Sequence, residues 1–131
     1  MKTLTVTIVK GNDQYGAWVE NVAGIYAAGN TVKEVKDDLL KAIDLYKKHN
    51  STIPKALQGN YELSWQYDTA SFLEYYSKIF SKAGLERITG INQKQLGHYA
   101  SGLKKPRKPQ IEKIDRAIHC LANDLKQVHL I

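Results

Sequence analysis

Four polar side chains within six positions are the best candidates for chemistry in this sequence: Gln93, Lys94, Gln95 and His98. Glutamine can make two hydrogen bonds to the edge of an adenine, and lysine can donate to the acceptor atoms of guanine. On a helix, these side chains can point outward from the first turns while Leu96 points inward. The cluster is therefore suited to reading base edges in a nucleic-acid groove.

The residues around this cluster predict a short helix that follows a tight turn. Gly90 can adopt the left-handed conformation that ends a preceding helix. Asn92 can cap the next helix, and Gln95 three residues later can complete a capping box. Leu96 and Tyr99 are expected to pack inward. The pattern is typical of the turn and second helix of a DNA-binding helix-turn-helix.

A basic stretch follows the predicted reading helix directly. Residues 103–108 contain four cations, and cations at this place suit contacts to the phosphate backbone. A solvated basic loop in an ordinary helical domain would show the same local pattern, so that alternative stays open. The residues expected to contact phosphates are Ser101, Lys104, Lys105 and Arg107.

The charge of the chain is divided unequally between its halves. Residues 1–68 carry 8 Lys and Arg against 8 Asp and Glu, whereas residues 69–131 carry 11 against 5. All of the formal net charge of +6 therefore lies in the half that contains the predicted reading helix. A cationic field confined to that half favours nucleic-acid binding there.

Residues 1–68 predict a small sheet domain with the element order βββαβ. Alternating apolar and polar residues indicate strands, and Thr31 with Glu34 forms a capping box at the start of an amphipathic helix. The first three strands should form an antiparallel meander, with the helix covering one face of the sheet. The predicted strands span residues 3–9, 15–20, 25–28 and 61–67, and the helix runs from residue 32 to about residue 49.

Residues 69–131 predict helices only. A capping box of Ser71 and Glu74 is expected to open a helix that runs to about Lys82, and a short helix is expected over residues 85–89. Pro109 is expected to open the last helix. About 60 residues in four helices bury only a marginal core, so a homodimer or higher homo-oligomer is expected. The predicted apolar stripe of the last helix is Ile111, Ile114, Ile118, Leu121 and Leu125.

Both halves of the chain resemble known families. The run from Gly90 to Pro106 resembles the second half of the Cro/phage-repressor type of helix-turn-helix. The first half is similar to the N-terminal domain of HicB antitoxins. That similarity rests on Trp18 and Glu20 in the second strand, Gly24, the run Gly29-Asn30-Thr31 with Glu34, and the helix end Ala42-Ile43-Asp44-Leu45-Tyr46.

The resemblance implies an α+β protein with two functions. Residues 1–68 would form a partial RNase H-like domain that binds and blocks a HicA-type toxin, a small RNA-cleaving protein. Residues 69–131 would form an all-α helix-turn-helix domain that binds operator DNA and represses the shared operon. Three positions depart from the two patterns. Glu86 and Thr89 stand where the Cro-type motif usually has a small and an apolar residue, and Asn30 stands where HicB proteins often have Asp.

An enzymatic function is not predicted. A two-metal nuclease needs several carboxylates that converge on two ions, yet the first strand offers only Thr, Leu, Val and Ile. Glu20 and Glu62 lie on different strands, and the other acidic residues of this half lie in a turn or on the helix. No histidine has the spacing of a metal ligand, and no glycine loop suits a phosphate. We therefore expect no metal and no cofactor.

The aromatic residues of the first half could contact either of two kinds of partner, RNA or a protein. A sheet with exposed aromatics can stack RNA bases, but this half has no net positive charge. A protein partner fits better, and the residues expected to contact a toxin are Tyr15, Trp18 and Glu20. The alternative function is a stand-alone repressor whose N-terminal domain senses a ligand or dimerises.

Composition indicates a cytoplasmic protein. No apolar run approaches the length that spans a bilayer, and the N-terminus does not resemble a signal peptide. The single cysteine, Cys120, excludes a disulfide within one chain and is expected to be a half-buried helix residue.

Overall fold

A computed structural model describes residues 2–131 of the chain. It is a mixed α+β structure with one four-stranded sheet and five α-helices in that range. The chain divides into two compact units, of which the first ends at Asp68 and the second begins at Thr69. This division coincides with the change in sequence rhythm after residue 68.

The first unit has the predicted element order βββαβ. The elements are β1 (Lys2–Lys10), β2 (Tyr15–Val19), β3 (Tyr26–Gly29), α1 (Val32–His49), a short 3-10 helix (Lys55–Leu57) and β4 (Tyr61–Tyr67). Strand β2 pairs antiparallel with both β1 and β3, and β4 runs parallel to β1, which gives the order β3-β2-β1-β4.

The apolar core of this unit lies between one face of the sheet and α1. Side chains in a strand alternate between faces, so Leu4, Val6 and Ile8 of β1 all point to the side that is buried. Helix α1 contacts β2 and β3, and a stripe at helical spacing completes the core. The buried residues of α1 are Val32, Val35, Leu39 and Ile43.

The predicted cap of α1 is confirmed, with one difference. Thr31 is the N-cap, and its hydroxyl accepts a hydrogen bond from the Glu34 backbone N–H at 3.0 Å. The Glu34 carboxylate accepts from the N–H of Asn30 at 2.8 Å, one residue before the N-cap whose N–H a standard capping box would use. The Asp38 carboxylate accepts from the N–H of Ala28 at 3.0 Å. The first turns of α1 are therefore tied to β3 and to the corner that follows it.

This corner is also the tightest backbone approach at any glycine of the described chain. A Cβ added to Gly29 would lie 2.6 Å from the backbone nitrogen of Val35 and 2.8 Å from Cβ of Glu34. Contacts this short do not occur for real side chains, so glycine is required for β3 to pass this close to α1.

The second unit consists of four α-helices and a 3-10 turn. The elements are α2 (Thr69–Tyr75), the 3-10 turn (Tyr76–Lys78), α3 (Lys82–Thr89), α4 (Gln93–Ser101) and α5 (Lys108–Lys126). Six buried side chains form its core, with Phe72, Phe80, Ile88, Ala100 and Ile118 packed around them. The six are Leu73, Leu85, Ile91, Leu96, Tyr99 and Ile114.

The expectation of one helix from Ser71 to about Lys82 is wrong. Helix α2 begins at Thr69, so Ser71 lies inside the helix and is buried rather than acting as a cap. The helix ends at Tyr75, and the chain turns before Ser81, whose hydroxyl accepts from the N–H of Gly84 at 2.9 Å. The serine that caps a helix is therefore Ser81, which starts α3, and α2 ends well before the predicted Lys82.

The predicted apolar stripe of α5 is buried only in part, and the expectation for Cys120 is wrong. Only Ile114 of the predicted stripe on α5 is fully buried, while Ile118 and Leu121 are half-buried and Ile111 and Leu125 are exposed. Ile111 and Leu125 lie towards the ends of α5, which is longer than the small core that it covers. Cys120 is exposed instead of half-buried. None of the helices in residues 2–131 has the length and apolarity to cross a membrane.

The corner at Gly29 generates a stability prediction. Gly29→Ala should lower the free energy of unfolding by about 1–3 kcal/mol, because the new methyl group forces β3 away from α1. Chemical denaturation followed by circular dichroism measures the change. Gly16→Ala on β2 is the control, since the nearest atom to its added Cβ lies at 4.0 Å. Equal effects of the two variants would contradict the steric explanation.

Candidate nucleic-acid interface and the open face of the sheet

The turn that introduces α4 has the predicted geometry. Gly90 lies in the left-handed region with φ of 79°, and its N–H donates to the Glu86 carbonyl at 2.8 Å. The Asn92 side chain accepts from the N–H of Gln95 at 2.8 Å and so caps α4. Leu96 and Tyr99 are buried, as expected. The outward surface of α4 therefore begins at a defined, capped end.

The predicted capping box is only half formed. Gln95 does not complete it, because its side-chain amide donates to the Tyr99 hydroxyl at 2.8 Å along the same helix. Gln95 is half-buried as a result. The sequence pattern could not distinguish the two outcomes, since a glutamine at this position can reach either partner.

The other three candidate base-reading residues differ in their exposure and in their hydrogen-bond partners. Lys94 is exposed, and Gln93 is exposed but donates through its amide to the Glu86 carboxylate at 3.1 Å. His98 is half-buried, and its Nδ1 is enclosed without a hydrogen-bond partner among residues 2–131. The ring of His98 therefore has Nε2 as the polar atom left to offer to a ligand.

The two departures from the Cro-type pattern stabilise the connection between α3 and α4. Glu86 accepts the hydrogen bond from Gln93 and so links the two helices. The Thr89 hydroxyl donates to the Leu85 carbonyl at 2.6 Å and accepts from the N–H of Ile91 at 3.1 Å. Thr89 therefore gives the N–H of Ile91 in the turn an acceptor, which an apolar residue at this position could not supply.

The basic loop between α4 and α5 is anchored to the end of α4. The N–H of Gly102, at φ of 81°, donates to the Tyr99 carbonyl, and the N–H of Lys104 donates to the His98 carbonyl, both at 3.2 Å. The Ser101 hydroxyl donates to the same His98 carbonyl at 3.3 Å. The start of the loop is thus held in place, and its cationic side chains are exposed.

A polar cleft of about 480 Å³ lies between α4, this loop and the beginning of α5. Three of its residues are cations, and α5 adds the positive end of its helix dipole, because Arg107 is the N-cap of that helix. The cleft therefore presents hydrogen-bond donors and positive charge to one small volume, which suits a phosphate group. Its lining residues are Gln95, Tyr99, Lys104, Lys105, Arg107 and Gln110.

In the first unit, the face of the sheet opposite α1 is uncovered by other elements of that unit. We call it the open face. Residues directly opposite each other across its strands include Tyr26, Trp18, Thr7 and Gln66, which form one row. Over all twelve positions the open face has two carboxylates and no lysine or arginine. These positions are Thr3, Thr5, Thr7, Val9, Gly16, Trp18, Glu20, Tyr26, Ala28, Glu62, Ser64 and Gln66.

Two of the three predicted toxin-contacting residues lie on the open face, where Glu20 orients Trp18. The Glu20 carboxylate accepts from the Trp18 indole N–H at 2.9 Å and from the Thr7 hydroxyl at 2.5 Å. The expectation that Tyr15 is exposed is wrong, because Tyr15 lies on the α1 side of β2 and is only 8% exposed.

Sequence reasoning missed Tyr26, which lies directly opposite Trp18 and is 70% exposed. The alternation of side chains along β3 was a signal that could have found it. Ile25 is buried, so Tyr26 after it must project to the other face. The aromatic pair of the open face is therefore Trp18 and Tyr26.

Within residues 2–131, no group of three or more His, Cys, Asp or Glu side chains is placed to hold a metal ion. Of the two carboxylates on the open face, Glu20 accepts hydrogen bonds from Trp18 and Thr7. His119 contacts Asp115 one turn earlier on α5, through the backbone carbonyl at 2.8 Å and the carboxylate at 3.4 Å.

Comparison of the chain with protein-family models, curated proteins and solved structures found no match.

The cap of α4 generates the second prediction. Asn92→Ala should destabilise the second unit by about 1 kcal/mol, because the N–H of Gln95 loses its acceptor. For a unit of this size the melting temperature should fall by about 4–8 °C, measured by differential scanning calorimetry. Asn92→Ser keeps an acceptor at the cap and should melt close to the parent protein. If serine and alanine destabilise equally, the cap does not depend on this hydrogen bond.

Proposed function

We propose that this protein is a HicB-type antitoxin, which binds and neutralises a HicA-type RNA-cleaving toxin and represses its own operon by binding operator DNA. The observation that carries the proposal is that one chain has two surfaces of opposite charge character, one in each unit. The second unit presents a capped helix beside a cationic cleft, and the first unit presents an aromatic, acidic open face. One surface suits nucleic acid, and the other suits a basic protein.

The DNA-binding part of the proposal uses α4 as the recognition helix of a helix-turn-helix. Its first turn would enter the major groove, with Gln93 and Lys94 at base edges and His98 one turn later. Lys104, Lys105 and Arg107 would contact phosphates, for which the cleft supplies both charge and helix dipole. Gln95 would use the N–H that it now donates to the Tyr99 hydroxyl for a base contact only after releasing that hydroxyl.

Binding would occur as a dimer on an inverted repeat. Two recognition helices about 34 Å apart, one turn of DNA, would read the two half-sites. The net charge of the second unit adds a sequence-independent attraction to the phosphate backbone, which brings the helix to the groove and orients it there.

The toxin-binding part of the proposal uses the open face. A protein that cleaves RNA must attract phosphates and is therefore expected to carry cations around its site. The open face offers Glu20 and Glu62 without a competing cation among its twelve positions, and the aromatic side chains of Trp18 and Tyr26 offer contact area. A toxin held there would be inhibited sterically, because RNA could not enter its site.

The DNA-binding part leads to a third prediction. Gln93→Ala should weaken binding to the specific operator by about tenfold or more, while binding to unrelated DNA stays nearly unchanged. Lys104→Ala should weaken binding to both DNAs and flatten the dependence of affinity on salt by about one unit of slope. Fluorescence anisotropy over a salt series, with DNA from upstream of the gene, measures both effects. Unchanged operator affinity in Gln93→Ala would exclude Gln93 as a base-reading residue.

The toxin-binding part leads to a fourth prediction. Tyr26→Ala should weaken binding to the product of the neighbouring small gene by at least about tenfold, because an exposed aromatic anchor is lost from the interface. Co-purification and calorimetry measure binding, and growth with both genes expressed measures neutralisation. Leu45→Ala, an exposed apolar residue on α1, is the matched control. A neighbour that is harmless or does not bind would favour the stand-alone repressor instead.

A further inference from the structure

The two carboxylates of the open face are held in different ways. One oxygen of Glu20, Oε1, accepts hydrogen bonds from both the Trp18 indole N–H at 2.9 Å and the Thr7 hydroxyl at 2.5 Å. Thr7 is only 8% exposed, and Glu20 is half-buried. Glu62 is an exposed residue of β4, and its carboxylate has no hydrogen bond or ion pair with residues 2–131. Of the two, Glu62 alone can therefore pair with an outside cation without giving up an internal contact.

The contact with Glu20 fixes the orientation of Trp18. Glu20 follows β2 directly, and its backbone N–H donates to the Thr5 carbonyl at 2.9 Å, which continues the ladder by one residue. Its side chain therefore lies on the same face as that of Trp18, two positions earlier. A side chain already held in one orientation loses less conformational entropy when a partner packs against it. Glu20 thus prepares Trp18 as a contact for a partner.

The open face has an aromatic end and an acidic end. Tyr26 and Trp18 lie directly opposite each other at one end, in the row that Gln66 completes on β4. Glu62 precedes Gln66 by four positions, and β4 lies two strands from β2. The spacing of strands and the rise per residue place the Cα atoms of Trp18 and Glu62 about 16 Å apart. An interface of standard size, roughly 800 Å² on each partner, is wide enough to cover both ends.

Short polar side chains separate the two ends. Thr5 and Ser64 lie directly opposite each other, between the row of Trp18 and the row of Glu62. Neither carries a charge, and neither extends as far from the sheet as an aromatic ring does. A partner can therefore lie across these hydroxyl groups while it contacts the aromatic end and the acidic end together.

We propose that the two carboxylates have different roles in toxin binding, with Glu62 forming the ion pair to a toxin cation and Glu20 acting as a positioning residue for Trp18. This assignment rests on the proposed function and specifies the chemistry of the toxin surface. That surface has a lysine or arginine about 16 Å from an apolar site that receives Trp18 and Tyr26. A cation that otherwise attracts an RNA phosphate pairs with Glu62 instead. Glu20, which the sequence analysis expects to contact the toxin, holds the aromatic contact in place.

Substitutions at Glu20 separate its charge from its hydrogen bonds. Glu20→Gln removes the charge but keeps an oxygen acceptor for the Trp18 indole and the Thr7 hydroxyl. Its affinity for the product of the neighbouring small gene should stay within about twofold of the parent. Glu20→Ala also removes the acceptor and should weaken binding by about fivefold, because Trp18 is no longer held. Isothermal titration calorimetry measures both affinities. A loss in Glu20→Gln as large as that in Glu20→Ala overturns the positioning role.

The charge contact is tested at Glu62. Glu62→Gln should weaken the same binding by about fivefold at low salt and flatten the dependence of affinity on NaCl concentration, because one ion pair is lost. Glu20→Gln should keep a salt dependence close to that of the parent. Asp44→Asn is the matched control, since it removes the same charge from α1, on the other side of the sheet. Unchanged affinity and salt dependence in Glu62→Gln overturn the ion pair.

The indole N–H signals of the free chain test the positioning role without a toxin. Glu20→Ala should shift the Trp18 signal in a nitrogen-correlated NMR spectrum and speed its exchange with water, whereas Glu20→Gln should leave it close to the parent. Trp65, on the α1 side of β4, is the internal reference. An unmoved Trp18 signal in Glu20→Ala overturns the positioning role. A parent chain that does not bind the neighbouring product overturns the proposed toxin binding and the ion pair at Glu62, while the indole signals still decide the role of Glu20.

Discussion

The close approach of β3 to α1 at Gly29 determines which surfaces the first unit can offer. A Cβ at this position would lie 2.6 Å from the backbone nitrogen of Val35. Because glycine has no Cβ, the chain can turn here from strand into helix without moving away from the sheet. Hydrogen bonds from the N–H groups of Asn30 and Ala28 to carboxylates of α1 hold the corner. The helix is thereby placed over β2 and β3, which leaves one face open and β4 partly uncovered.

The second unit, like the corner of the first, depends on hydrogen bonds of polar side chains for its local order. Its core contains six buried side chains, a small number for four helices, and the hydrogen bonds of Glu86, Thr89 and Asn92 therefore add to the order of the connection between α3 and α4. Two of these residues are the departures from the Cro-type pattern. They replace apolar packing at the helix crossing with defined polar contacts, so the departures are compatible with a well-ordered turn.

Sequence reasoning was most successful where local chemistry determines structure. The four strands, the N-cap Thr31, the left-handed Gly90 and the cap Asn92 all follow from short-range patterns. It failed where the outcome depends on distant contacts or on competing partners. Tyr15 and Trp18 lie three positions apart on β2 and so face opposite sides of the sheet, and which side α1 covers depends on distant contacts. Ser71 was expected to cap a helix, but it is buried inside α2, and the serine that caps a helix is Ser81. The apolar spacing of α5 likewise could not show that only the middle of this helix contacts the core.

The hydrogen bonds already made by the two glutamines of α4 have a consequence for how the proposed recognition helix would search DNA. Gln93 donates to Glu86 and Gln95 donates to Tyr99, so each amide has one N–H already engaged in the unbound chain. On DNA of unrelated sequence, both glutamines can keep these internal hydrogen bonds, while the cations of the basic loop alone contact the phosphate backbone. A two-bond contact to a matching base that uses the engaged N–H must replace the internal bond with one of equal quality. The helix would thus have a sliding mode and a reading mode, and the exchange of two amide hydrogen bonds would separate them.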